Sequence, residues 1–228
     1  MVKKYSIKEI HIEDDNFTMN QDFVKEFCKK LINKNFGITW TCPNGVRLDT
    51  LDEQLIRLMK KSGLYSLSVG IESGSDRIRR LMRKNLDART IQEKIKLIRK
   101  CGIDVVGFFI LGYPGETIED INKTIDFALK LDLKRATFSA FKPFPGTDIY
   151  NELMKNKEIG KLDYNKFSLD QIVWSPKGIT LKQLKNLRRK AFFKFYSRSK
   201  ILLGMIKDIK NFQNLKFIMI RVYRWMLK

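Results

Sequence analysis

Cysteine and histidine are scarce: Cys28, Cys42, Cys101 and a single histidine, His11, in 228 residues. The cysteines form no CxxC pair and no dense framework, so a disulfide scaffold is excluded. One histidine and dispersed cysteines cannot supply the tetrahedral ligand set of a zinc site, and no residue is assigned to a metal. Cys28 falls within a helical pattern and Cys101 at a helix end before Gly102, which are places for small core residues. Cys42 ends a strand-like run. Long apolar runs are also missing. No uninterrupted stretch approaches the roughly 18 residues that span a bilayer, and no apolar segment follows Lys3 and Lys4 as it would in a leader peptide. A cytoplasmic protein is expected. Acids are in deficit too, with 25 Asp and Glu against 45 Lys and Arg and a net charge of +20.

That imbalance is uneven. Residues 181–228 hold fourteen Lys or Arg against one acid, Asp208, a net +13. The basic character therefore belongs mainly to the tail. A hydrophobic fraction of 43% is ordinary for a globular chain and argues against wholesale disorder.

The hydrophobic period alternates between short β-rich runs and longer helical stretches. Residues Ile7–Ile12, Ile38–Cys42, Leu64–Ile71, Ile103–Leu111 and Ala136–Phe141 read as strands. Helical patterns lie near 20–35, 51–62, 76–101 (read as two helices) and 118–131. Thr18–Gln21, Thr50–Glu53, Thr90–Glu93 and Thr117–Asp120 place a hydroxyl three residues before an acid or amide, the pattern of a capping box. Gly63 and Gly102 stand where helices should stop. Units of this size force the strands to run parallel. An open doubly wound sheet and a β/α barrel both satisfy the pattern, and in either the functional groups belong beyond the carboxyl ends of the strands.

Polar or glycine-rich clusters fall at those ends. Glu13, Asp14 and Asp15 put three acids on the first, able to bind a cation or an ammonium group; an acidic helix approach is the plainer role. His11 packs or hydrogen-bonds on its strand. Pro43-Asn44-Gly45 follows the second strand. Gly70-Ile71-Glu72-Ser73-Gly74-Ser75 ends the third, and its carboxylate suits ribose hydroxyls while its glycines permit close backbone approach. Ile110-Leu111-Gly112-Tyr113-Pro114-Gly115-Glu116 ends the fourth, with Ile110 offering a flat apolar contact to a planar base. No GK[ST] follows it, so it is not a P-loop. Lys142-Pro143-Phe144-Pro145-Gly146-Thr147 ends the fifth.

Taken in order, these clusters resemble the radical-SAM superfamily, most nearly its members with a cobalamin-binding domain before the barrel. The matching stretches are IHIEDDNFT, ITWTCPNGVRLDTLDEQLIRLMKKSGL, VGIESGSDRIRRLMRK, GIDVVGFFILGYPGETIEDINKTIDFA and FSAFKPFPGTDIY, covering roughly residues 7–150. The resemblance implies an α/β fold: a partial (β/α)6 TIM-like barrel over residues 1–155, lacking its first strand, then a basic helical extension over 156–228. It implies S-adenosylmethionine across the strand ends. Glu72 and Ser73 match the position that contacts ribose, and Ile110 and Gly112 the motif beside adenine. Asp14 and Asp15 stand where many members have a GGE-like segment that grips the methionine amino group. Lys142–Gly146 matches a region that contacts adenine through backbone. No catalytic residue is assigned.

The superfamily's cluster loop, usually C-x3-C-x2-C, has no counterpart here, and the closest cysteine spacing is from Cys28 to Cys42. A [4Fe–4S] cluster is expected for the family, but three thiolates to hold it are absent. Cobalamin would enter only through a further N-terminal domain. The chain is thus expected to lack the first strand and cluster loop, to be inactive alone and to need a complementary polypeptide. As an enzyme it would perform methyl transfer or radical ring or bond formation on a small molecule or lipid. The alternative is a binding or accessory subunit of a split barrel.

In the tail, Thr180–Gln183 opens an amphipathic helix with apolar positions 181, 184, 187, 191, 192 and 195. Three readings stay open: packing of that stripe on the barrel, attachment of the basic tail to an anionic membrane surface, and binding to nucleic-acid phosphates.

Overall fold

The computed structural model describes residues 2–207 apart from 161, 169 and 170, together with 209 and 216. The aromatic run Phe217–Leu227 lies outside the described residues.

A single helical turn, α1 (Val2–Tyr5), leads into β1 (Glu9–His11). There follow α2 (Gln21–Lys34), β2 (Thr39–Val46), α3 (Glu53–Lys61), β3 (Leu64–Glu72), α4 (Asp76–Leu81), α5 (Ala88–Lys100), β4 (Asp104–Leu111), α6 (Ile118–Lys130) and β5 (Arg135–Ala140). Beyond the strands come α7 (Asp148–Lys155), α8 (Leu181–Tyr196) and α9 (Ser199–Lys207). The strands form one sheet in the order β1-β2-β3-β4-β5. Glu9 lies opposite Thr39 and Trp40 opposite Leu64 in parallel pairs. Lys134 N–H to Val105 O and Phe141 N–H to Leu111 O advance together along β4 and β5, again the parallel sense.

The alternation of apolar runs placed every strand, but β2 runs further than expected. Pro43, Asn44 and Gly45 lie inside it, across a register shift between Cys42 and Val46. Gly45 has φ +109, which lets the strand bulge there. Gly63 and Gly102 end α3 and α5 with φ of +106 and +74, as their positions predict.

Three of the four expected caps are replaced. Asn20 caps α2 by accepting from Phe23 N, Asp52 caps α3 from Leu55 N, and Asp87 caps α5 from Thr90 N. In each case the helix begins two or three residues from the threonine, on an Asn or Asp that is itself a favoured N-cap. Thr18 is instead buried and bonded to Thr50 at 2.7 Å. Thr117 and Asp120 do form the reciprocal pair, as do Thr180 and Gln183. Asp87→Ala is therefore expected to remove about 1 kcal/mol, and Thr90→Ala only a few tenths; urea denaturation of the two variants checks the assignment.

Contacts divide the chain into two units. The first comprises Met1–Ile71, Lys84–Phe108 and Lys130–Ala136; the second comprises Glu72–Arg83, Phe109–Leu129 and Thr137–Lys228. In the first, Phe17, Phe27 and Trp40 pack edge to face at 5.4–5.8 Å, and Trp40 Nε1 donates to Ser62 Oγ at 3.1 Å. Val24, Cys28, Ile56, Met59, Ile95 and Val105 complete an apolar interior. In the second, Phe109 stacks on Phe138 at 5.2 Å, and Phe138 meets Phe195 of α8. The apolar stripe of α8 thus packs inward, with Leu184, Ala191 and Phe195 buried. A satellite cluster of Leu153, Ile159 and Trp174 gathers under Phe141. Among the described residues no helix is long and apolar enough to cross a membrane.

Candidate functional site

In the first unit, β1 delivers the three acids into a solvent-facing turn. Asp14 Oδ1 accepts from Asn16 N at 2.7 Å, and Asn44 Nδ2 holds Glu13 O at 2.7 Å, tying this turn to the bulge of β2. Glu13, Asp14 and Asp15 are all exposed, so their charges remain available to a cation. His11 bonds Glu9 at 2.7 Å on its own strand, as expected. Beside the acids, Cys42 is 1% exposed, and its thiol is pushed up to about 12 by burial and then by the Asp14 charge. At neutral pH such a thiol stays protonated and is a poor nucleophile.

In the second unit, β3 ends on Glu72 with φ +65, a left-handed conformation that a non-glycine residue adopts only when its surroundings impose it. Ser73 is fully buried. Its hydroxyl hydrogen-bonds Thr124 Oγ1 at 2.9 Å and accepts from Ser75 N at 3.1 Å, so it fastens the strand end to α6. Gly74 N–H donates to the same Thr124 hydroxyl at 2.9 Å. The close approach that Gly74 permits is thus to a helix. Ser75 Oγ donates to Asp120 at 2.7 Å, and Arg77 pairs with the other carboxylate oxygen of Asp120. Burial alone would raise the Asp120 pKa, but the hydrogen bonds from Ser75, Arg77 and Thr117 win and hold it at about 2. Arg79, 1% exposed, donates to Ser73 O at 2.5 Å, pairs with Asp76 and lies over the Phe127 ring.

The turn after β4 is built around one carboxyl group. Glu116 Oε2 accepts from Gly112 N and from Tyr113 N, the latter at 3.1 Å, and Glu116 N–H returns a bond to Tyr113 O at 2.9 Å. Oε1 is buried and, among the described residues, has no hydrogen-bond partner. Burial raises this acid to about 7 in spite of the two backbone donors. Gly112 has φ +78, and a Cβ there would sit 2.6 Å from Leu184 of α8. Ile110, one strand residue earlier, is half-buried. Beyond β5, Lys142 is buried while Phe144 is 53% exposed.

The expected binding residues therefore fall in two sets. Asp14 and Asp15 belong to the first unit, and Glu72, Ser73, Ile110 and Gly112 to the second. Within the second set, the strand-end turns rest on Glu116, Asp120, Arg79 and Thr124. Of these, the sequence signals Asp120 alone, through the capping pattern Thr117–Asp120.

Cys28 and Cys42 are buried and Cys101 closes α5; among the described residues no group of His, Cys, Asp or Glu is placed to hold a metal ion. A [4Fe–4S] cluster, which needs three thiolates converging on it, does not fit the cysteines present.

The five parallel strands and the helices that connect them make an α/β fold of the partial-barrel type. The model of the radical SAM superfamily matches residues 1–128, and the chain belongs to that family. It is 34% identical over 225 residues to an uncharacterized methyltransferase of Pyrococcus horikoshii, covering 99% of this chain and 48% of the relative. It is 35% identical over 159 residues to cytidylyl-2-hydroxyethylphosphonate methyltransferase of Streptomyces wedmorensis, covering 67% of this chain and 29% of the relative. The chain thus spans less than half the length of either. Its fold matches that of the radical S-adenosylmethionine methyltransferase TsrM of Kitasatospora setae, solved with cobalamin and a [4Fe-4S] cluster bound. The TM-score is 0.62 at 16% identity, over 78% of this chain and 37% of that one.

Proposed function

We propose that this chain is the cofactor-holding part of a radical SAM methyltransferase, and that its second unit binds the nucleoside of S-adenosylmethionine. The observation that carries the reading is Glu72. A carboxylate held at φ +65 at a strand end, in the unit that also presents half-buried Ile110 and the Glu116-tied turn, suits a ribose and an adenine face. Glu72 would accept from the ribose hydroxyls, Ile110 would cover the base, and Gly112 would expose backbone to it. Ser73, with its hydroxyl committed to Thr124, would act by positioning Glu72. For the first unit by itself, the exposed Asp14 and Asp15 would suit an ammonium group. S-adenosylmethionine, when bound, would supply a methyl group and leave as S-adenosylhomocysteine. With no thiolate set for a cluster, the chain alone holds the cofactor without cleaving it. We assign no residue to cobalamin, and we keep residues 156–228 as an extension of the core at 1–155. Scattered free cysteines suit a reducing cytoplasm.

A second reading rests on β1. This three-residue strand stands at the sheet edge, with Glu9 and His11 exposed. An open edge of this kind accepts a further strand, which favours a subunit completed by another polypeptide.

Titration of the chain with S-adenosylmethionine is expected to show weak, saturable binding that Glu72→Ala lowers about tenfold, the size of one lost charge-assisted hydrogen bond. Anaerobic incubation with iron and sulfide should give no cluster absorption and no 5′-deoxyadenosine. Failure of a folded chain to bind the nucleoside removes the cofactor reading. Cluster absorption from this chain alone overturns the ligand argument.

A further inference from the structure

Helix α9 reads Ser-Lys-Ile-Leu-Leu-Gly-Met-Ile-Lys, with no acid in nine residues. Ile201 is 6% exposed and anchors the helix to its own unit, whereas Leu202, Leu203 and Ile206 are 46%, 59% and 62% exposed. At about 100° per residue those three positions share an arc roughly 100° wide, so they form one apolar face. Residues 199–228 carry seven Lys or Arg against Asp208 alone. Lys194 and Lys200 are exposed near the helix start.

Three kinds of occupant meet a basic apolar face differently. Nucleic acid uses the cations and gains nothing from exposed Leu and Ile. A second copy of a chain with net charge +20 is repelled by it. An anionic lipid surface takes both features, the aliphatic side chains entering the acyl boundary and the cations meeting the headgroups. Among the described residues no helix is long and apolar enough to cross a membrane.

We propose that α9, through Leu202, Leu203 and Ile206 and the basic residues that flank and follow it, docks the protein on an anionic membrane surface. This holds whether or not the strand ends bind a nucleoside. The face lies at the carboxyl end of the second unit's helical extension, and it would bring the chain to lipid-soluble substrates.

The full chain is mixed with sucrose-loaded vesicles of phosphatidylcholine, with and without phosphatidylglycerol, at low and high salt, and sedimented. Binding is expected to the anionic vesicles at low salt and to fall with salt and without phosphatidylglycerol. The double substitution Leu203→Ser and Ile206→Ser should lower partitioning at least ~10-fold. Its thermal midpoint should be unchanged, since both positions are exposed. Parent-like binding by this variant, or no vesicle binding by the parent, overturns the proposal. So does concentration-dependent dimerisation that the variant abolishes, or duplex RNA binding at equal salt that exceeds vesicle binding.

Discussion

Gly74→Ala is expected to be the most damaging single-methyl change in the described chain. A Cβ at this position would lie 2.5 Å from Lys123 O, 2.6 Å from Phe127 Cβ and 2.7 Å from Thr124 Cα. All three belong to α6, and two are backbone atoms, so no side-chain rotation relieves the overlap. The strand-end loop or the helix must move. Moving either strains the Gly74 N–H to Thr124 bond and the Ser73–Thr124 pair. Overpacking of this kind costs about 3 kcal/mol, which for a chain of this size lowers the melting temperature by roughly 6–12 °C. Gly160→Ala, where nothing lies within 4 Å, serves as the comparison and should be neutral or slightly stabilising. Because Gly74 is two residues from Glu72, the damaged protein should also lose S-adenosylmethionine affinity. Equal urea midpoints for the two variants would show that α6 does not press on the loop.

The sheet was legible because its signal is local and repeated. Each of the five apolar runs became a strand within a few residues, and Gly63 and Gly102 stopped their helices. The caps were less legible. A threonine three residues before an acid or amide is a pattern, but these helices begin two or three residues away from it, with Asn20, Asp52 and Asp87 at their N-caps. The extension of β2 through Pro43 was hidden because proline and glycine normally punctuate strands, and here they fill a bulge. The expected binding residues were read from order along the chain. Their support was not. Arg79 sits on a six-residue helix among other arginines, and nothing in the sequence distinguishes the one that is buried over Phe127 from those in solvent. Gly112 was read as a ligand contact. A Cβ there would also meet Leu184, more than seventy positions later, a relation that only tertiary packing creates.

Substituting Glu116 by glutamine is expected to change how stability depends on pH. Glu116 is 1% exposed, and burial raises its pKa from 4.5 to about 7, with the Asp120 charge adding to the rise and Arg77 opposing it. An acid raised on folding favours the native state most when protonated. Its contribution is complete below pH 4.5 and is lost as pH climbs through about 7. At 1.36 kcal/mol per unit the loss is about 3 kcal/mol. Asp120 acts in the opposite sense: its contribution is present above 3.8 and disappears as pH falls toward about 2. Glutamine keeps an acceptor for Gly112 N and Tyr113 N but cannot ionise. Relative to the parent, Glu116→Gln should therefore gain about 3 kcal/mol between pH 4.5 and pH 8 in urea denaturation, while the acid limb set by Asp120 is unchanged. A difference between the two proteins that stays flat across this range would mean that Glu116 ionises as freely as a surface acid. Ionisation strengthens the bonds from Gly112 N and Tyr113 N but leaves a buried charge whose Oε1 has no partner among the described residues, so above pH 7 the turn that follows Ile110 should open toward water. S-adenosylmethionine affinity should then fall with pH in the parent, and the glutamine variant should lack that dependence. A merely structural glutamate would not produce this pairing of a stability slope with an affinity slope.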